Sequence, residues 1–267
     1  MTGWTGSFIT LNKAWYADYP KTSFHFFNDN REWQQMDKAG HAWTTYHLSR
    51  ISSGLWLWAG VNQKTGTWLG GLSGMAYQSI IEIQDAYSAE WGFNWGDVAA
   101  NTLGASAFVG QELLMKEQHI QLKLSYWHYD YEGADLKRRR NQLFGSSLPE
   151  RIIKYYNSQT YWISANLHAF APKSSLPKWL NLAMGYNSQG MLGGFNNQWT
   201  DADGVSFSRN DITRTRHFYL SADMDLTRIE TRRQWLRTMC SVVNMIKVPS
   251  PAFERNNRGI RFHTLYF

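Results

Sequence analysis

The sequence holds a single cysteine, Cys240, so no disulfide can close within the chain and cysteine-rich metal centres are excluded. Set in the apolar stretch Met239 to Val243, that thiol reads as buried. Proline is scarce, with 6 residues, and charged residues make up 18% against 43% hydrophobic, which is not the composition of a disordered chain. A mean hydropathy of −0.48 does not suit a polytopic helical membrane protein. Residues 65–81 carry no charge over 17 positions, short of the roughly 20 that span a bilayer, and Gly66, Gly70, Gly71 and Gly74 favour a buried bundle helix there. Met1 to Leu11 contains no Lys or Arg and is broken by Gly3 and Gly6, which departs from a secretory signal. Signatures of a P-loop, a dinucleotide fold, a zincin, a serine nucleophile elbow or a zinc ribbon do not occur, and no repeat of 20–50 residues is visible.

What is abundant is aromatic: 14 Trp, 14 Tyr and 14 Phe. Such side chains suit places that are half apolar and half wet, including membrane interfaces and lipid or carbohydrate grooves. The net charge is +6, but Lys137 to Arg140, Arg209 to Arg216 and Arg228 to Arg237 read as solvated loops and helix faces, and no nucleic-acid partner is expected.

Residues 1–20 place Trp4, Phe8, Leu11 and Trp15 on one helical face, and Thr22 to Trp33 reads as a polar and aromatic loop of the kind that carries function. Helices are expected at 35–59, 66–87 and 95–117, the second with Leu69, Leu72, Ala76, Ile80 and Ile83 as its apolar stripe. After about residue 118 the period falls to 2. Strands are expected at 121–131, 161–170, 180–187, 218–226 and 259–267, each with an apolar and a wet face, and a helix interrupts them at 230–246. The fold class is therefore α+β, with an N-terminal helical bundle over 1–118 and a mainly antiparallel sheet over 119–267. The alternation also fits an outer-membrane barrel, but closure takes about eight strands and five are visible. A small sheet packed on the helices is the preferred reading.

Three helices each present a polar pair. Asp37 and His41 are four apart, Glu82 and Asp85 three apart, and Asp97 and Asn101 four apart, so each pair shares a helix face. Polar pairs on facing helices are how bundle-core acid/base and metal sites are built. The six residues form a candidate catalytic cluster, and His41, Asp37 and Glu82 a candidate metal set; no cofactor is specified. Each pair has a plainer reading too: Asn94 as helix cap, Asp97 and Asp37 as first-turn acids, Glu82 beside a surface lysine.

The strings Trp15-Tyr16-Ala17-Asp18-Tyr19-Pro20, Ser23-Phe24-His25-Phe26-Phe27-Asn28-Asp29, Met36-Asp37-Lys38-Ala39-Gly40-His41, Ser88-Ala89-Glu90-Trp91-Gly92-Phe93 and Trp95-Gly96-Asp97-Val98-Ala99-Ala100-Asn101 resemble Bacteroidota members of the YfiM-like predicted periplasmic lipoprotein family, a domain of unknown function, from about residue 12 onward. The order Asp37-Lys38, His41, Glu82, Asp85, Asp97, Asn101, Gly104 is also similar to the VanZ-like membrane proteins. The resemblance implies a cell-envelope location at the outer membrane and no established activity. The chain lacks the cysteine near its start that a lipoprotein acylates. Two functions follow as expectations. The first is a non-catalytic envelope component whose partner is the outer membrane or an envelope protein complex, using aromatic surfaces and the wet sheet face. The second is a hydrolase acting on a lipid or cell-wall substrate, with His41 as base or metal ligand and Asp37 orienting it.

Overall fold

The computed structural model describes residue 6, residues 20–201 and residues 203–267. The lead-in with Trp4, Phe8, Leu11 and Trp15 lies outside them. Helices α1 (Met36–Trp58), α2 (Gln63–Ala86) and α3 (Trp95–Leu114) form the expected bundle. Asn62 starts α2 by accepting a hydrogen bond from the Thr65 N–H at 3.0 Å, and Asn94 starts α3 by accepting from the Gly96 N–H at 2.5 Å. None of these helices is long and apolar enough to cross a membrane.

The stripe expected to pack is not the one that packs. In α2 the buried face is Gly66, Thr67, Gly70, Gly71, Gly74, Tyr77, Gln78 and Glu82, while Leu72, Ile80 and Ile83 face outward. Small residues win this contact because they let backbones approach: a Cβ on Gly70 would sit 2.6 Å from the Ser49 carbonyl oxygen, and one on Gly104 would overlap the Ala42 carbonyl. Tyr46, Phe108 and Val109 supply the apolar packing, with Leu122 of the sheet against them.

The second half contains β1 (Ile120–Tyr126), α4 (Ala134–Phe144), α5 (Leu148–Lys154), β2 (Gln159–Asn166), β3 (Leu180–Gln189), β4 (Gln198–Thr200), β5 (Ser206–Ser208), β6 (Thr215–Met224), α6 (Gln234–Val243), β7 (Ser250–Asn256) and β8 (Gly259–Tyr266). Six strands make one antiparallel sheet in the order β1-β2-β3-β6-β7-β8, and β4-β5 is a separate hairpin. Each expected strand is present, but those expected at 121–131 and 161–170 end at Tyr126 and Asn166, and Leu167–Phe170 is a short helical turn. The sequence pattern misses β7, whose alternation is interrupted by Pro251, and it misses α4 and α5. Within α4 the cluster Lys137 to Arg140 is only partly solvated, since Arg140 is buried and ion-paired to Asp130.

The sheet is strongly curled. The Thr160 hydroxyl on β2 lies 3.0 Å from that of Tyr266 on β8, and the Leu124 N–H on β1 donates to Met245, just before β7, at 3.0 Å. Among the described residues it does not close into a barrel. The face expected to be wet is the buried one: Trp162, Ser164, Asn166, Asn181, Tyr219 and Asp223 point inward, while Ile163, Met184, Phe218, Leu220 and Phe253 are exposed. The inward polar groups tolerate burial because they satisfy one another. Lys123, fully buried, sits 2.7 Å from Asp223 and donates to the Met224 carbonyl at 2.7 Å, and Asp223 accepts from the Ser164 hydroxyl at 2.6 Å.

Three substitutions check this packing. Gly104→Ala should destabilise by about 1–3 kcal/mol in denaturant unfolding, because a methyl must push α3 off α1. Gly110→Ala, where a Cβ meets no atom within 4 Å, should be neutral or stabilise by up to about 1 kcal/mol. Lys123→Met leaves Asp223 buried without its cation and should cost about 3–5 kcal/mol.

Candidate functional site

The three helices bring their polar pairs to one place. His41, one turn beyond Asp37 on α1, points its two ring nitrogens at different neighbours. On one side Nδ1 lies 3.1 Å from Asn101 Oδ1, 3.4 Å from Glu82 Oε1 and 3.3 Å from Gln78 Nε2. On the other, Nε2 lies 3.7 Å from Asp37 Oδ2 and 3.6 Å from Asp97 Oδ1. Asn101 ties the first group together, accepting from Gln78 at 3.1 Å and from the Thr45 hydroxyl at 2.9 Å while donating to Glu82 at 3.3 Å. All six residues of the sequence-derived cluster lie in or beside this centre. Asp85 lines the same cavity.

The sequence reading gave no role to several members. Lys38 Nζ lies 2.7 Å from Asp97 and 3.2 Å from Asp37, and it is also paired to Asp29. Asp29 and Glu32 come from the loop that was singled out as functional, with no site role given to either residue. Tyr156 donates to Asp37 Oδ1 at 2.8 Å, and the Tyr161 hydroxyl packs against Gly40. Both tyrosines belong to the sheet half, more than a hundred residues away, and no local pattern could have linked them to the helices. Glu82 is not beside a surface lysine; it is buried behind His41, and its Oε2 has no hydrogen-bond partner among the described residues. Asn94 does cap α3, and Asp97 sits in its first turn yet faces Lys38 and His41.

A strained turn aims the acidic loop. Trp33, Gln34 and Gln35, none of them glycine, have φ of 47°, 49° and 65°. They are held by the sheet: the Trp33 N–H donates to the Gly194 carbonyl at 2.9 Å, Tyr186 donates to the Gln34 carbonyl at 2.5 Å, and Arg216 donates to Gln35 Oε1 at 2.6 Å. The result is a cavity of about 540 Å³ with Asp29, Glu32, Asp37, His41, Asp85 and Asp97 on its polar wall, and Trp33, Leu48, Ile81, Trp91, Ile153, Tyr156 and Tyr161 among its other lining.

Six carboxyl groups around one lysine and one histidine pull their proton affinities apart. Burial disfavours charge on His41, but Asp37, Asp97 and Glu82 outweigh it and raise the pKa to about 9. Burial would raise Asp37 as well, yet His41, Lys38 and the Tyr156 hydrogen bond bring it down to about 2. Burial, reinforced by Asp37, pushes Asp97 up to about 8. Glu82 and Glu32 are raised to about 7 by burial, reinforced by Asp85 and by Asp29 respectively. An ionised Asp37 and a protonated His41 thus stand among carboxyls that exchange protons near neutrality, a distribution suited to acid/base chemistry.

His41, Asp37 and Asp97 each offer a ligand atom, all within 4.8 Å of one another, so a divalent ion would be held at Nε2 by this trio. Glu82, in the metal set expected from sequence, faces the other ring nitrogen. There it would orient the imidazole from behind. Lys38 already neutralises Asp37 and Asp97, and such an ion would have to displace its ammonium.

Titration gives a direct check. The His41 pKa lies above its ordinary 6.5, so its stabilising contribution is complete below about pH 6.5 and is lost as pH rises through 9. The gap in unfolding temperature between the native chain and His41→Gln should therefore narrow steadily over that window.

No curated protein and no solved structure matches the chain. Residues 25–111, about a third of its length, match the profile of a family described as a predicted periplasmic lipoprotein (DUF2279). The match covers every helical residue of the site and neither Tyr156 nor Tyr161. Over that segment, which contains the bundle and its polar centre, the chain is similar to a periplasmic lipoprotein family of unknown function.

Proposed function

We propose that the polar centre is an acid/base site of a cell-envelope protein, hydrolysing a lipid or cell-wall substrate. The observation that carries this reading is the convergence of His41 and five carboxyl groups on the wall of one cavity whose remaining lining is largely aromatic and aliphatic. His41 rests protonated, so it acts as general acid toward a leaving group, with Asp37 and Glu82 fixing the imidazole. Glu32, poised near 7 on the same wall, takes the proton of the attacking water. The envelope location draws on the family match, and its refinement to the outer membrane of a Bacteroidota cell draws on the sequence resemblance. The likeness to VanZ-like proteins, in the order of the polar residues, belongs to the same reading.

A second reading is favoured by one contact set. Lys38 is shared by Asp29, Asp37 and Asp97, so the cluster can serve simply to lock α1 to α3 in a non-catalytic component of the outer membrane or of an envelope complex. The full chain in detergent micelles, incubated with a panel of ester- and phosphodiester-linked lipids and cell-wall fragments, separates the two. Turnover that falls by about 10²-fold or more in Glu32→Gln and His41→Gln, with the unfolding temperature of Glu32→Gln retained, is the expected result. A folded native chain with no turnover across the panel decides for the non-catalytic reading.

A further inference from the structure

A second cavity, of about 660 Å³, lies far from the polar centre in sequence, where the approach to β3 meets the segment before α6. Its lining includes Lys178, Arg228, Arg232 and Arg237 against a single acid, Glu230. Two of these cations are engaged: Arg228 with Asp225 and Glu117, each at 3.2 Å, and Lys178 with Glu230 at 3.2 Å. Arg237 donates only to the Thr231 carbonyl, at 3.1 Å, and Arg232 is exposed with no ion pair among the described residues. The ten-residue helix α6 begins here, and no side chain caps its N-terminus. Its unbonded N–H groups add positive character to a cavity that already holds surplus cations.

The face of α6 turned away from Arg237 and the cavity is apolar and open. Trp235, Met239, Val242 and Val243 recur at i, i+4, i+7 and i+8, and Ile246 continues the stripe past the helix end. All five are exposed, Trp235 and Val242 each at 59%. The inner side of α6 is anchored instead by a polar contact, Arg50 of α1 donating to the Ser241 hydroxyl at 2.8 Å. A short helix with an open aromatic and aliphatic face, beginning in a basic cavity, has the pattern of a helix that lies in the plane of a membrane interface.

We propose that α6 and this cavity form an interfacial anchor for a membrane carrying anionic, phosphate-bearing headgroups, with a headgroup phosphate taken between Arg232 and Arg237 and the Trp235 face among the acyl chains. Charge complementarity selects this occupant: the cavity has more cations than acids, and the open stripe has no protein element against it among the described residues. The anchor is independent of the acid/base reading, since none of its residues touches the polar centre.

Flotation of the full chain with phosphatidylcholine vesicles, with and without phosphatidylglycerol, tests it. Binding should require phosphatidylglycerol, weaken with added salt, and fall about fivefold in Arg232→Gln and about thirtyfold in Arg232→Gln/Arg237→Gln. Trp235→Ser/Val242→Ser should also weaken it. These residues are exposed, so circular dichroism should show an unchanged fold in each variant. Equal binding to neutral vesicles, unchanged binding in the arginine variants, or unchanged binding in the α6 face variant overturns the proposal. A chain that binds inorganic phosphate but does not float with phosphatidylglycerol vesicles would also overturn it, by assigning the cavity to the free anion.

Discussion

A carboxylate taken out of water must find a cation, a proton or several hydrogen-bond donors, and both halves of this chain are organised around that requirement. In the bundle, Lys38 and His41 sit among six carboxyl groups, and burial, reinforced by neighbouring carboxylates, raises the proton affinity of Glu32, Glu82 and Asp97. In the sheet, Lys123 and Asp223 neutralise each other at the centre of a network of Ser, Asn and backbone groups. Satisfying these groups consumes the interior. The apolar side chains left over are displaced outward, and Leu72, Ile83, Met184 and Phe253 all lie exposed.

This inversion explains what could and could not be read from the residues. Periodicity located the three helices and most of the strands, because spacing reports which residues share a face. It does not report which face points inward, and the usual assumption that the apolar one does fails for α2 and for the whole sheet. The glycines at 70, 74 and 104 were the local clue, since a helix face built of glycine is of use only against another backbone. The strand over Ser250–Asn256 was hidden by a proline and by the charged pair Glu254 and Arg255.

The candidate site was legible to the extent that it lies on helices. Pairs three or four apart gave Asp37 with His41, Glu82 with Asp85 and Asp97 with Asn101, and the bundle brings them together. Lys38 follows Asp37 directly in sequence, yet its long side chain reaches three carboxylates from two elements and a loop. Reach of that kind leaves no periodic trace. Tyr156 and Tyr161 depend on how β2 meets α1, which no window of sequence contains.

The left-handed turn at Trp33 to Gln35 makes the acidic wall dependent on the sheet. Each of its three residues adopts a conformation that an isolated chain avoids at a cost of order 1 kcal/mol or more. The Gly194 carbonyl, Tyr186, Ser188 and Arg216 hold it from outside the loop, and those belong to the sheet and to the loop that follows β3. The three helices pack on one another directly, but the acidic wall formed by Asp29 and Glu32 is held in position by contacts to the strands. The cavity thus depends on β3 and β6 at the middle of the sheet as much as on the helices that carry most of its polar groups.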